Sequence, residues 1–208
     1  MKEEQDYIQD LAEIRSMMER SSKFMSLSGL AGVMAGIYAL AGGWVVYSIY
    51  NFNPHDIILR TTGSGGLFPY LPQVVIVALS VLVLAVGTAI LLSWKKAKKR
   101  NEKAWNATSR RMIVNMAVPL AVGGILIVIL LLKGLVGLIV PLTLLFYGLA
   151  LYSASKFTYK DVKFLGLFQI GLGLISAWFI EYGVFLWVIG FGVAHIIYGI
   201  YMHFRYER

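Results

Sequence analysis

The feature of this sequence that most restricts its fold is a series of long apolar stretches divided by short polar connections. A bilayer core of about 30 Å requires about 20 mostly apolar residues to be crossed as an α-helix. Only 14% of the 208 residues are charged, whereas soluble domains carry roughly 25%. The sequence therefore predicts transmembrane helices. Six stretches qualify, at about residues 25–50, 70–93, 112–132, 134–155, 163–180 and 183–204.

The connections between these stretches predict how the helices are arranged. Only Lys133-Gly134 divides the third stretch from the fourth, and only Glu181-Tyr182-Gly183 divides the fifth from the sixth. Such short breaks force neighbouring helices to run antiparallel. We therefore expect an all-α bundle of six transmembrane helices, built from three antiparallel hairpins within a transmembrane domain at residues 24–208.

Residues 1–23 form the one clearly polar segment. Tyr7, Leu11, Ile14 and Met18 recur at spacings of four and three between charged residues, which is typical of an amphipathic helix. The sequence predicts a cytoplasmic helix here, and it leaves open whether the apolar stripe contacts the membrane, the bundle or another subunit.

The distribution of Lys and Arg predicts the orientation. Seventeen of these 19 residues lie in the amino-terminal segment, the second and fourth connections and the carboxy-terminal tail, and only Arg60 and Lys133 lie on the other side. Because cationic connections stay in the cytoplasm, we expect both termini to be cytoplasmic. Eight of the cations cluster between the second and third stretches. Their expected partner is anionic lipid rather than nucleic acid.

The spans themselves carry little chemistry. No Asp, Glu, Lys or Arg lies in the central part of a predicted span, and the chain contains no cysteine and only three histidines. Ionisable groups within membranes are usually functional. We therefore expect no enzyme active site, no metal site and no cofactor.

The polar and small residues within the spans are the remaining candidates. Gln169 and His195 lie on neighbouring antiparallel helices, where they are expected to form a polar pair that serves either ligand binding or packing. Glycines recur on single helix faces, and such faces let helix backbones approach closely. A pore or cleft lined by glycine backbone is the alternative interpretation. The glycines expected at helix contacts are Gly29, Gly32, Gly36, Gly173, Gly192 and Gly199.

The third and fourth helices look like a weak copy of the fifth and sixth. Each pair has one charge in its outer turn, so we expect Lys133 and Glu181 to lie close together on the outer surface. Each pair also closes with Tyr-Gly, at Tyr147-Gly148 and Tyr198-Gly199. Over residues 112–204 the chain resembles the bacterial six-helix short-repeat membrane proteins associated with acid resistance. The resemblance implies a bacterial inner-membrane protein without an established catalytic site.

Two functions are compatible with these features. The first is a non-enzymatic scaffold, accessory or stress-response component of the membrane, either as a single copy or as a homo-oligomer. The second is a small-solute channel or transporter that uses a cleft between spans one, five and six.

Overall fold

The computed structural model describes residues 23–50, 70–99, 101 and 105–207, which form six helices and no β-strand. The predicted amphipathic helix falls almost wholly in residues 1–22, outside the described residues. The sixth helix, α6, runs through three segments, Gly183–Trp187, Val188–Ala194 and His195–Tyr206. The other helices are α1 (Gly29–Ser48), α2 (Leu71–Lys99), α3 (Ala107–Leu132), α4 (Ile139–Ala154) and α5 (Val162–Trp178).

Five of the six helices are long and apolar enough to cross a membrane. Two of these spans include a short 3₁₀ turn, so that they run over Val136–Ala154 and Ile180–Tyr206. The remaining helix, α5, is apolar but has only 17 residues, at the lower limit for crossing the hydrocarbon core. The all-helical prediction is confirmed, and the lengths suggest an integral membrane protein.

Two helices extend beyond the stretches predicted from hydropathy. α2 continues from about residue 93 to Lys99, and α3 begins at Ala107 rather than near residue 112. Lysine is a good helix former, so α2 continues through its lysines beyond the end of the apolar stretch. At the start of α3, Asn106 and Ser109 bond each other's backbone amides in a capping box. We call this end of the bundle, where α2 ends and α3 begins, the basic end.

Close packing is not restricted to the helices that were predicted to pair as hairpins. α1 packs against α2 and α6, while α4 packs against α3 and most extensively against α5. The first segment of α6 also contacts α4 and α5. By contrast, α2 and α3 are consecutive in the chain but do not pack closely on each other. The division into three equivalent hairpins therefore stays a prediction.

Glycines bring the backbones of α1 and α6 into contact. A methyl group built on Gly29 would lie 2.6 Å from the carbonyl oxygen of Gly199, and one on Gly36 would lie 2.6 Å from that of Gly192. Gly32 faces Gly199 in the same way, at 3.2 Å from its Cα. At these glycines the interface places backbone against backbone, with the side chains of Leu40 and Ile196 packed beside it, so a larger residue in place of a glycine would push the two helices apart.

A second glycine interface joins α4 to α5. A methyl group on Gly148 would lie 2.7 Å from the carbonyl oxygen of Gly166, and one on Gly173 would lie 2.9 Å from the amide nitrogen of Leu145. Lipid supplies no hydrophobic force between helices, so close van der Waals contact of this kind is a main source of their association.

The peripheral helices α2 and α3 expose most of their apolar surface. Ala97 is the one residue of α2 that is buried, and residues such as Val83 and Ile125 are more than half exposed. Faces of this composition fit the hydrocarbon of a membrane.

We expect Gly199→Ala to destabilise the bundle by about 1–3 kcal/mol, the usual effect of overpacking, because its methyl group would lie 2.5 Å from the amide nitrogen of Val33. Gly171→Ala is the matched control, since its added methyl group would meet no atom of another described helix within 4 Å. Unfolding in detergent, followed by circular dichroism, measures both. Equal stability of the two variants would contradict the backbone contact.

Candidate functional site

The middle segment of α6 presents a backbone carbonyl to side chains. Residues Val188–Ala194 are wound as a π-helix, a rare conformation that often marks functional sites. Within it, the carbonyl oxygen of Gly190 accepts hydrogen bonds from Gln169 Nε2 at 2.8 Å and from His195 Nδ1 at 2.9 Å. Two side chains, one on α5 and one on α6, thus converge on one peptide group.

The second nitrogen of His195 reaches a third helix. Because Nδ1 donates to Gly190, Nε2 of the neutral ring is the acceptor, and the hydroxyl of Tyr147 on α4 donates to it at 2.9 Å. The ring of Phe191 stacks on the imidazole, with centroids 5.8 Å apart and an interplanar angle of 12°. We call Tyr147, Gln169, Gly190 and His195 the clasp, since they join α4, α5 and α6.

Gln169 and His195, which the sequence pairs, meet through the Gly190 carbonyl. Their nearest nitrogens, Gln169 Nε2 and His195 Nδ1, lie 3.5 Å apart, and both donate to the same oxygen. Gln169 is fully buried and His195 is 5% exposed. Among the described residues, Gln169 Oε1 has no hydrogen-bond partner. It lies where a side chain on residue 190 would be, 2.5 Å from a methyl group added there, so glycine is required at this position.

A second polar cluster lies at the basic end. Glu207, just after α6, accepts hydrogen bonds at Oε1 from Lys96 Nζ at 2.9 Å and from the Gly29 amide at 2.8 Å. His203 Nδ1 donates to Oε2 at 2.7 Å. The side chains of Lys96 and Glu207 are each 12% exposed. We call Gly29, Lys96, His203 and Glu207 the latch, since they join the start of α1 to the ends of α2 and α6.

The latch continues into the connection between α4 and α5. Lys96 also donates to the carbonyl of Leu27, and the hydroxyl of Tyr159 donates to that of Met25. Thr158 is buried and donates to the carbonyl of Phe24. The extended segment before α1 is thus held by side chains of two other parts of the chain.

The environment of Glu207 favours its charged form. Partial burial alone would raise the pKa of the carboxyl group, but hydrogen bonds from Lys96, the Gly29 amide and His203 outweigh it and lower the pKa to about 2. Gly29 is the first residue of α1, and the positive end of a helix dipole stabilises a carboxylate. Glu207 is therefore ionised over the physiological range.

The other candidates lie away from the clasp. Lys133 is exposed at the carboxyl end of α3, and Glu181 lies in the 3₁₀ turn before α6. In the described part of the chain these two side chains form no ion pair with each other, and their closeness stays a prediction. Among the described residues, no group of three His, Cys, Asp or Glu could hold a metal ion.

Tyr147, Lys96 and Glu207 are site residues that the sequence pattern does not predict. In the sequence, Tyr147 belongs to a repeated Tyr-Gly pair and Lys96 is one of eight clustered cations. The position of Glu207 in the sequence does point to an ion pair. From residue 70 onward there are only four acidic residues, which are Glu102, Asp161, Glu181 and Glu207. An isolated carboxylate beside many cations indicates an ion pair.

No model of a protein family, no curated protein and no solved structure matches this chain.

A double-mutant cycle tests the clasp. Tyr147→Phe and His195→Phe each remove one partner of a hydrogen bond within the bundle, so their effects on the free energy of unfolding should be non-additive. We expect a coupling energy of about 0.6–1.7 kcal/mol, as for other hydrogen bonds between transmembrane helices. Additive effects, measured by unfolding in detergent, would count against the bond.

The low pKa of Glu207 predicts how stability depends on pH. A carboxyl group whose pKa falls from 4.5 to about 2 on folding stabilises the fold above pH 4.5 and loses this effect as the pH falls through 2. We expect Glu207→Gln to lower stability by about 1.5–3 kcal/mol at pH 6, the range for hydrogen bonds to charged groups. The difference from the natural protein should shrink below pH 4.5.

Thermal unfolding of both proteins between pH 2 and 7 measures this difference. Glu181→Gln is the control, because none of the described hydrogen bonds or ion pairs involves the Glu181 side chain. A Glu207→Gln effect that is constant over the whole range would refute an ionised latch.

Proposed function

We propose that this chain is a six-span, non-enzymatic membrane protein of the bacterial inner membrane that serves as a scaffold or accessory component. The observation that carries the proposal is the close contact of α1 with α6, where the two glycine faces meet backbone to backbone. The glycines that could have lined a cleft are occupied by packing in this arrangement.

The polar residues of the spans support the same proposal. Gln169 and Ser176 share one face of α5 and are both fully buried. Both side chains are enclosed by protein, which counts against a water-filled path at these positions. A small-solute channel would require α6 to move away from one of its neighbours.

The basic end supports cytoplasmic termini and an anionic lipid partner. Two exposed tryptophans, Trp94 and Trp105, flank it, and the ammonium group of Lys98 lies 5.9 Å from the centre of the Trp94 ring. Cations at this depth attract anionic headgroups by about 1 kcal/mol each, and tryptophan prefers the membrane interface. The exposed cations here are Lys95, Lys98, Lys99, Arg110 and Arg111.

A role in the stress response follows only from the resemblance of residues 112–204 to the short-repeat proteins associated with acid resistance. The dense packing is compatible with such a role, since a scaffold acts by holding partners and needs no opening. The exposed faces of α2 and α3 are available to lipid or to a second copy of the chain.

Single cysteines in this cysteine-free chain test both topology and closure. We expect a membrane-impermeant maleimide to label Lys133→Cys only from outside the cell and Lys99→Cys only from the cytoplasmic side of inverted vesicles. Ser176→Cys, a nearly isosteric change at a fully buried position, should stay unlabelled from either side until the protein is denatured.

Labelling of Ser176→Cys in the folded protein would indicate a water-filled path and favour the channel. Solute uptake by proteoliposomes above that of empty liposomes would do the same. Labelling of Lys99→Cys from outside would instead overturn the proposed orientation without bearing on closure.

A further inference from the structure

The clasp and the latch are built on the same helix. The clasp holds α6 at Gly190 and His195, and the latch holds it at His203 and Glu207. From His195 to Glu207 there are 12 residues, or about 18 Å along an α-helix. Since a helix is stiff over this length, a movement at one site is transmitted to the other.

The clasp adds side-chain hydrogen bonds to a carbonyl of the π-helical segment. In an α-helix the Gly190 carbonyl would accept from the amide of Ala194, four residues on, whereas π-helical winding pairs a carbonyl with the amide five residues on. In the present structure the Gly190 carbonyl also accepts from the side chains of Gln169 and His195. Opening of the clasp removes these two bonds, and with them the side-chain support for the π-helical winding.

The two patterns place the rest of α6 differently. A π-helix and an α-helix differ in rise and rotation per residue, so a conversion of Val188–Ala194 shifts and turns every residue that follows. The glycine interface with α1 fits only one register, because the side chains of Val33 and Leu40 lie against Gly199 and Gly192 in addition to the backbone contacts, so such a shift must break these contacts. The bond from the Gly29 amide to Glu207, at 2.8 Å, depends on the present register.

We propose that α6 is a two-state element in which opening of the clasp converts the π-helical segment to α-helix and releases the latch at the basic end. The consequence is a change at the start of α1 and in residues 23–28 before it, which follow residues 1–22 in the chain. Coupling of this kind is reciprocal, so loss of the latch also biases the clasp.

The effect of the clasp on the latch is tested with Ser28→Cys, which places the only thiol of the chain next to the Gly29 amide. Ser28 is 9% exposed, so a maleimide should react slowly with the introduced thiol in the natural background. Combining Ser28→Cys with Gln169→Leu and His195→Leu should raise the reaction rate by about 5-fold or more, the lower limit of typical coupling. If the variant with both leucine substitutions does not fold, the milder Tyr147→Phe is combined with Ser28→Cys in its place.

A matched control separates coupling from general loosening. Tyr38→Phe removes the hydrogen bond of 3.2 Å to Thr88 between α1 and α2 and leaves the clasp intact. The reaction rate of the thiol introduced by Ser28→Cys should stay unchanged in this variant. An equal increase in the control and in the clasp variants would overturn the proposal.

The effect of the latch on the clasp is measured by nuclear magnetic resonance at His195. In protein with ¹⁵N-labelled histidine, the natural chain should give the signals of a neutral ring protonated at Nδ1, assigned by their loss in His195→Leu. We expect Glu207→Gln to shift these signals, and Glu181→Gln to leave them unchanged. Signals that are identical in Glu207→Gln and the natural chain would show that the two sites are independent and would overturn the proposal.

Discussion

The structure depends above all on the direct contact of helix backbones at glycine. α1 and α6 touch through Gly29, Gly36, Gly192 and Gly199, and no side chain on either helix could be enlarged there without separating them. This contact brings the Gly29 amide within reach of Glu207, and it places α6 where His195 meets Tyr147. A second glycine interface fixes α4 against α5, so that Gln169 faces the same carbonyl.

Burial of polar groups away from water explains the rest of the arrangement. Lipid offers no hydrogen bonds, so a polar group inside is costly unless it finds a partner in the protein. The Gly190 carbonyl finds two, and the Glu207 carboxylate finds three. Both acceptors lie on or next to α6. Their donors come from other helices, except for His195 and His203, which lie on α6 itself. Hydrogen bonding therefore joins α6 to α1, α2 and α5.

The sequence was sufficient to predict the helices, because hydropathy over 20 residues reports the membrane directly. It also predicted which helix faces carry glycine, since the spacing of Gly29, Gly32 and Gly36 follows the helical period. It could not reveal which helices those faces meet, because packing between distant helices leaves no local pattern. For the same reason it missed Tyr147 as the partner of His195. The role of the Gly190 carbonyl could not be predicted from the sequence, since a backbone carbonyl can accept side-chain hydrogen bonds only where the local winding of its helix presents it to them.

The bond between the Gly29 amide and Glu207 spans 178 residues of chain, and this separation has a consequence for assembly. During synthesis α1 is made before the other described helices, and its chief partner α6 is made after them. The pair α4 and α5, by contrast, is local and can form as soon as both helices are inserted. α1 must therefore wait in the bilayer with its glycine face covered by lipid or by a temporary partner. The interface between α1 and α6 closes only after α6 has been made and inserted.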